Sequence, residues 1–281
     1  MMKKIIVLVL VVLVAAGVSS AAVNVPGGLT GFWQFATDAT KLKATVGTDL
    51  VSVDEASTWF MGPWTTIGTV AQPDLYTDRG VVQEQSWGYL QCNPGLSPNG
   101  GGSYVNQYTI SMDYRQTSIT GDQYNSLYQT SWGGRDDDGD LFIYNDTTDM
   151  TQSEIGIGDV GYSGDNGKYF NAAQWNRITL SVDNGNFFRV YVNGALLLDG
   201  AGQDIDGRFS LYPDRVNLFA DDSWEDAWGL VGNVMVWDHA LTGDEIAAMG
   251  DTTTPLVLTP EPATMSLLAI GGLALLRRNR K

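Results

Sequence analysis

Between Gln174 and Asp199 apolar and polar residues alternate with a period of two. Ile178, Leu180 and Val182 stand against Arg177, Thr179 and Ser181, and Phe188, Val190 and Val192 stand against Arg189, Tyr191 and Asn193. Successive side chains of a strand point to opposite faces, so this is the pattern of strands buried on one side. Asn184-Gly185 and Asn193-Gly194 close the runs, and Asn-Gly reaches positive φ at little cost, as a tight hairpin turn requires. The stretch therefore predicts an antiparallel meander with strands near 177–182, 187–192 and 195–198. Its polar face, with Arg177, Thr179, Arg189 and Tyr191, lies either on the outside of the molecule or along a groove; the alternation alone does not choose.

The rest of the chain from Val23 to about Thr254 continues in kind, as short apolar runs broken by Gly, Asn, Asp and Pro. Further strands are expected at 29–35, within 80–92, at 108–114, from 127, and at 140–144, 154–158, 206–211, 216–220 and 230–238. The stretch 45–78 has no readable period, and Gly62-Pro63 and Gln72-Pro73 suggest loops there. Residues 93–103, with Pro94, Pro98 and Gly100 to Gly102, read as an exposed turn region. One helix is expected, at 243–249, because Thr242 and Glu245 form a capping box and Leu241 can staple against Ile246. Residues 23–254 thus predict one all-β domain, a two-sheet antiparallel sandwich with a short C-terminal helix.

The two ends differ from this core. Lys3 and Lys4, an apolar stretch over 5–18 and the small residues 19–22 make a secretory signal peptide of residues 1–22. At the other end, over 255–281, Pro260, Glu261 and Pro262 precede an apolar helix at 263–276 and the basic run Arg277-Arg278-Asn279-Arg280-Lys281. This order resembles the PEP-CTERM sorting tail of exported bacterial proteins. The resemblance implies an exosortase-type enzyme as partner, an intermediate held in the inner membrane by the tail, and release to the cell surface or the extracellular space. Without both ends 10 basic residues face 31 acidic ones, so the net charge moves from −16 to −21. Such a domain is no partner for nucleic acid or anionic lipid. Cys92 is the only cysteine, which excludes an internal disulfide and reads as a small buried hydrophobe.

A second resemblance covers most of residues 28–249. Gly28 to Phe35, Tyr108 to Asp113, Asp138 to Ile143, Trp175 to Gly194, Leu218 to Asp222 and Val234 to Met249 are similar, in order, to the blocks of laminin-G-like, or concanavalin A-like, domains. This implies a jelly roll with loop-built binding sites, a fold shared by lectins, adhesion modules and glycoside hydrolases. Hydrolases of the fold carry alternating acids on one strand. No such run occurs here, Glu154 with Asp159 being the nearest approach, and His239 reads as a structural turn residue. No catalytic residue is therefore assigned.

Two acidic loops remain, Asp136 to Asp140 and Asp221 to Asp226. Calcium takes six to eight hard oxygens, which clustered carboxylates supply. Asp138, Asp140, Asp221 and Asp222 are the candidate ligands if the loops meet; two solvated turns are the alternative. Trp132, Trp224 and Trp228 flank these acids and are candidate sugar-stacking residues, with packing roles as the alternative. The expected function is an exported, non-enzymatic surface or matrix protein that binds carbohydrate or serves adhesion, exopolysaccharide being the partner that the sorting route suggests. The alternatives are a glycan hydrolase and a structural matrix component without a specific ligand.

Overall fold

The computed structural model describes residues 23–35, 37–53, 59–63, 80–84, 89–119, 123–130, 139–146, 149–158, 160–221, 225 and 228–258, with backbone alone at 59–63 and 80–84. In chain order the strands begin with β1 (Val23–Asn24), β2 (Leu29–Trp33), β3 (Ala44–Val46), β4 (Val51–Val53), β5 (Trp59–Pro63), β6 (Gly80–Glu84) and β7 (Tyr89–Cys92). They continue with β8 (Gln107–Gln116), β9 (Tyr124–Gln129), β10 (Asp140–Tyr144), β11 (Glu154–Ile157) and β12 (Gly161–Tyr162). The last are β13 (Asn176–Asp183), β14 (Phe187–Val192), β15 (Ala195–Ala201), β16 (Val216–Leu218), β17 (Gly229–Trp237) and β18 (Leu256–Val257), with helix α1 (Gly243–Met249) before β18.

Two antiparallel sheets form the sandwich. One runs β12-β11-β10-β9-β16-β7-β4; the other runs β15-β14-β13-β8-β17-β2-β3, with β5 and β6 attached beside β17. Their facing sides share one core, to which β10 gives Leu141 and Ile143, β16 gives Val216 and Leu218, β13 gives Ile178, Leu180 and Val182, and β17 gives Val234 and Val236. The expected all-β sandwich with one terminal helix is the observed fold. The meander is β13, β14 and β15, and Asn193 takes the positive φ its turn requires.

The polar face of that meander lies on the back of its sheet, under the chain's closing segment. Arg177 bonds Asp113 through Nε (2.8 Å) and Nη2 (3.0 Å), and donates through Nη1 to the Met249 carbonyl at the end of α1 (2.6 Å). Asp113 also accepts from Asn233 Nδ2. Thr179 bonds Ser111 (2.8 Å), Ser181 donates to the Leu241 carbonyl (3.0 Å), and Thr109 bonds both the His239 carbonyl and the Leu241 N–H. A buried polar row is tolerable only when its groups are paired, and residues 239–249 supply those partners. Arg189 stays outside, held by Asp199 (2.6 Å). A second apolar cluster completes this layer: Val25, Phe32, Tyr191, Met235, Trp237, Leu241, Ile246, Met249 and Leu256. Leu241 and Ile246 both belong to it, in line with the expected staple.

Three expectations need correction. The run 80–92 is two strands in different sheets: β6 pairs β5 and β17, whereas β7 pairs β16 and β4. Residues 206–211 form no strand; Leu211 makes a single bridge to Val105. Asp206 sits at φ 59 and its carboxylate accepts from the Ser103 and Tyr104 N–H groups and from Asn106 Nδ2. Phe209 and Leu211 are buried core plugs within that turn region, so their alternation reflects core contact without a ladder. Pro63 ends a strand where a loop was expected. It is tolerated because β5 pairs only β6 among the described strands and the register shifts beside it.

Candidate functional site

The outer face of the β12–β4 sheet is partly covered: Phe142 is buried with the core cluster, and Tyr124 and Tyr162 pack against that cluster. On β10, Leu141 and Ile143 face the other sheet, so alternation sets Asp140, Phe142 and Tyr144 on the opposite side, where Asp140 and Phe142 are buried and Tyr144 is half-buried. Register then sets their neighbours. Tyr144 lies between Tyr124 of β9 and Glu154 of β11, and Phe142 lies between Ser126 and Gly156. Gly156 in turn faces Tyr162 of β12. A Cβ at Gly156 would collide with the Gly161 carbonyl, and with no side chain there Tyr162 leans across toward its neighbours.

The rings gather into one platform. Tyr124 and Tyr144 stack at 4.8 Å and 29°, Tyr162 stands 5.6 Å from Tyr144 and 6.4 Å from Tyr124, and Phe142 meets Tyr124 edge-on at 5.6 Å. The three tyrosines are half-buried. Farther along the face, Gln129 lies in register with both Asp140 and Asn217, and Gln91 Nε2 donates to Asn217 Oδ1 (2.9 Å). Gln129 and Asn217 are themselves fully buried, so the face presents the tyrosine rings rather than these carboxamides.

Its electrostatics are acidic. Glu154 has its pKa raised, first by burial and then by Asp165 and Asp146, against a lowering bond from the Gly164 N–H. Burial, then Asp146, also raises Tyr144, whose hydroxyl donates to Asp146 Oδ1 (3.3 Å). Tyr162 is raised by burial, by Tyr124 and by Glu225.

The residues expected from the sequence are only partly reached. Asp138, Asp222, Trp132, Trp224 and the Pro260, Glu261, Pro262 motif lie outside the described residues, as do the segments 1–22 and 263–276. Asp140 and Asp221 are both buried. Asp140 lies opposite Gln129, whereas the Asp221 loop runs past Leu127 and Ser126, so the two stand at different levels along β9. Asp221 Oδ2 accepts the Glu225 N–H (3.0 Å), a bond that shapes its own loop. Among the described residues no three His, Cys, Asp or Glu side chains gather as a metal site, and no helix is long and apolar enough to cross a membrane. Trp228 is half-buried, its N–H on Asn125 Oδ1 (3.3 Å) and its carbonyl on the Thr117 N–H (3.1 Å).

The pattern of tryptophan beside acid does not find the tyrosines. The signal available was Phe142 and Tyr144 at a spacing of two, on the strand face opposite Leu141 and Ile143. Cys92 is buried as expected, and burial pushes its thiol up to about 12. His239 uses its carbonyl to anchor Thr109 (2.9 Å) while its ring bonds exposed Asp238 (2.8 Å).

Among solved structures, domain 4 of AbnA, a GH43 extracellular arabinanase from Geobacillus stearothermophilus solved with arabinotriose, is 16% identical, with a TM-score of 0.49 over 79% of this chain and 98% of that one. A Trypanosoma rangeli sialidase solved with sialic acid is 13% identical, TM-score 0.49, over 83% of this chain and 35% of that one. The binding domain of botulinum neurotoxin serotype D is 14% identical, TM-score 0.47, over 78% and 50%. The chain thus spans half or less of the sialidase and toxin chains. No curated protein matches in sequence. Residues 258–281 match the PEP-CTERM protein-sorting motif, which implies exosortase-type processing. Residues 94–247, more than half of the 281, match the concanavalin A-like lectin/glucanases superfamily, and the chain belongs to that family.

Proposed function

We propose that this is an exported, non-enzymatic surface or matrix protein that binds polysaccharide on the outer face of its β12–β4 sheet. The observation that carries this reading is the platform of Tyr124, Tyr144 and Tyr162. Half-exposed aromatic rings offer apolar contact to the faces of sugar rings, and neighbouring carboxylates suit their hydroxyls. The family and the sorting motif support the same reading, with residues 1–22 acting as the export signal and 255–281 as a membrane anchor before processing. Calcium at the acidic loops stays a secondary proposal, tested by calorimetric titration before and after Asp221→Ala.

The register keeps one pair of carboxylates, Glu154 and Asp140, out of hydrolytic spacing. Glu154 stands beside Tyr144, and Asp140 lies four residues along β10 from Tyr144, about 13 Å at the usual strand rise. Retaining glycosidases need carboxyls about 5–5.5 Å apart and inverting ones about 6.5–9.5 Å. A glycan array probed with the intact chain tests the proposal. Binding is expected, and is lost in Tyr144→Ala and Tyr162→Ala variants that keep the parent melting temperature. Binding that survives both substitutions rules out this face. Release of reducing ends that stops on Glu154→Gln would establish the hydrolase instead. Localisation with and without residues 260–281 tests the sorting role: secretion with the tail intact would overturn it.

A further inference from the structure

The tyrosine platform stands in an acidic field, and this narrows what it can hold. The charged side chains that weigh most on Tyr144, Tyr162 and Glu154 are Asp146, Asp165, Glu225 and Glu154 itself. Lys168, two residues beyond the turn that holds Asp165 and Asn166, is drawn to the Leu196 carbonyl of the other sheet (3.0 Å). The carboxylates are also fixed in place. Glu154 packs over Gly164, and Asp165 Oδ2 accepts the Tyr162 N–H (3.0 Å), which holds it at the base of the platform.

We propose that the ligand of this face is a polysaccharide bearing free amino groups, a polyhexosamine with unacylated amines, and that uronic-acid and sulfated chains are rejected. This rests on the carbohydrate reading above. The rings supply the contact area, and an aromatic face also attracts an ammonium group, most strongly where water is displaced. Glu154, Asp146 and Glu225 supply the opposing charge. An anionic polymer would meet like charge at these carboxylates, and a domain near −21 adds long-range repulsion. A cationic ligand also relieves the mutual repulsion of Glu154, Asp146 and Asp165, so binding removes a cost already present in the free protein.

The test uses calorimetry on the intact chain in mild detergent. Its probes are a glucosamine hexamer, the fully N-acetylated hexamer, an oligogalacturonate of the same length and an oligolysine peptide. The glucosamine hexamer is expected to bind about tenfold tighter than the acetylated one, and the galacturonate not at all. Raising salt from about 50 mM to about 500 mM should remove most of that preference. Glu154→Gln, nearly isosteric, should abolish the preference, the glucosamine hexamer falling to the level of the acetylated one; Tyr144→Ala should weaken both. Equal binding of the two hexamers overturns this inference and leaves the carbohydrate reading standing. Failure of every oligosaccharide overturns both. Oligolysine binding as tight as glucosamine, and indifferent to Tyr144→Ala, would show that charge alone acts, and also overturns it.

Discussion

Glu154 is a carboxylate that the fold disfavours in its charged form. Burial first, and Asp165 and Asp146 after it, raise its pKa, so the folded chain holds this proton to higher pH than the unfolded chain does. A raised pKa contributes stability that is complete below the ordinary glutamate range, near about 4.3, and is lost as pH rises through the folded value. Glu154→Gln should therefore melt above the parent protein at pH 7 and match it near pH 3.5. Thermal scans at both values check this, and an equal gain at both would assign the effect to packing. The opposite case is Arg177 with Asp113, 1% and 0% exposed. Asp113→Ala leaves the guanidinium buried without its partner, and a loss of about 3–5 kcal/mol in urea unfolding is expected. In the sequence Arg177 read as one polar residue of a strand face. That it is buried depends on a segment some 70 residues later, which local alternation cannot encode.

At the scale of elements, what was legible is what is local. The hairpins at Asn184-Gly185 and Asn193-Gly194 and the helix at 243–249 follow from turn and cap chemistry, and both halves of the capping box are present at Thr242 and Glu245. Thr242→Ala should cost about 1 kcal/mol of stability, measurable by denaturant titration. What was illegible is which sheet a strand joins. Nothing between Gly80 and Cys92 marks the crossing from one layer to the other, because β6 and β7 satisfy the same propensities. The tyrosine platform was half legible: period two places Phe142 and Tyr144 on one face, but Tyr124 and Tyr162 reach them only through cross-strand register. Gly156 makes that register count. Gly156→Ala sets a Cβ against the Gly161 carbonyl, so β12 must shift and Tyr162 with it. Saccharide binding should fall while the core, and with it the melting temperature, changes little; unchanged binding would show that Tyr162 adds nothing to the platform.

Over the whole molecule the two sheets turn different backs to the outside. The β12–β4 sheet presents the tyrosines, and the other sheet is covered by residues 239–258. There β18 pairs in parallel with β1, Val23 opposite Leu256 and Asn24 opposite Val257, with the Val23 N–H on the Pro255 carbonyl and the Val25 N–H on the Val257 carbonyl, each at 2.9 Å. Both ends of the described domain therefore lie on the back, on the opposite sheet from the tyrosine face. The clasp also joins the second apolar cluster, to which Val25 and Leu256 belong together with Trp237 and Met249. A chain ending at residue 254 loses Leu256 and the ladder together. Removing one buried leucine costs about 2–5 kcal/mol, and a two-residue ladder at the rim of the domain places this case toward the low end. Compared with a chain ending at 258, it should unfold at lower urea while binding saccharide with the same affinity under native conditions. Equal midpoints would mean that α1 covers the sheet unaided. A parallel fall in affinity would mean that the two faces are coupled through the core, against the separation of anchor and binding surface that the sandwich implies.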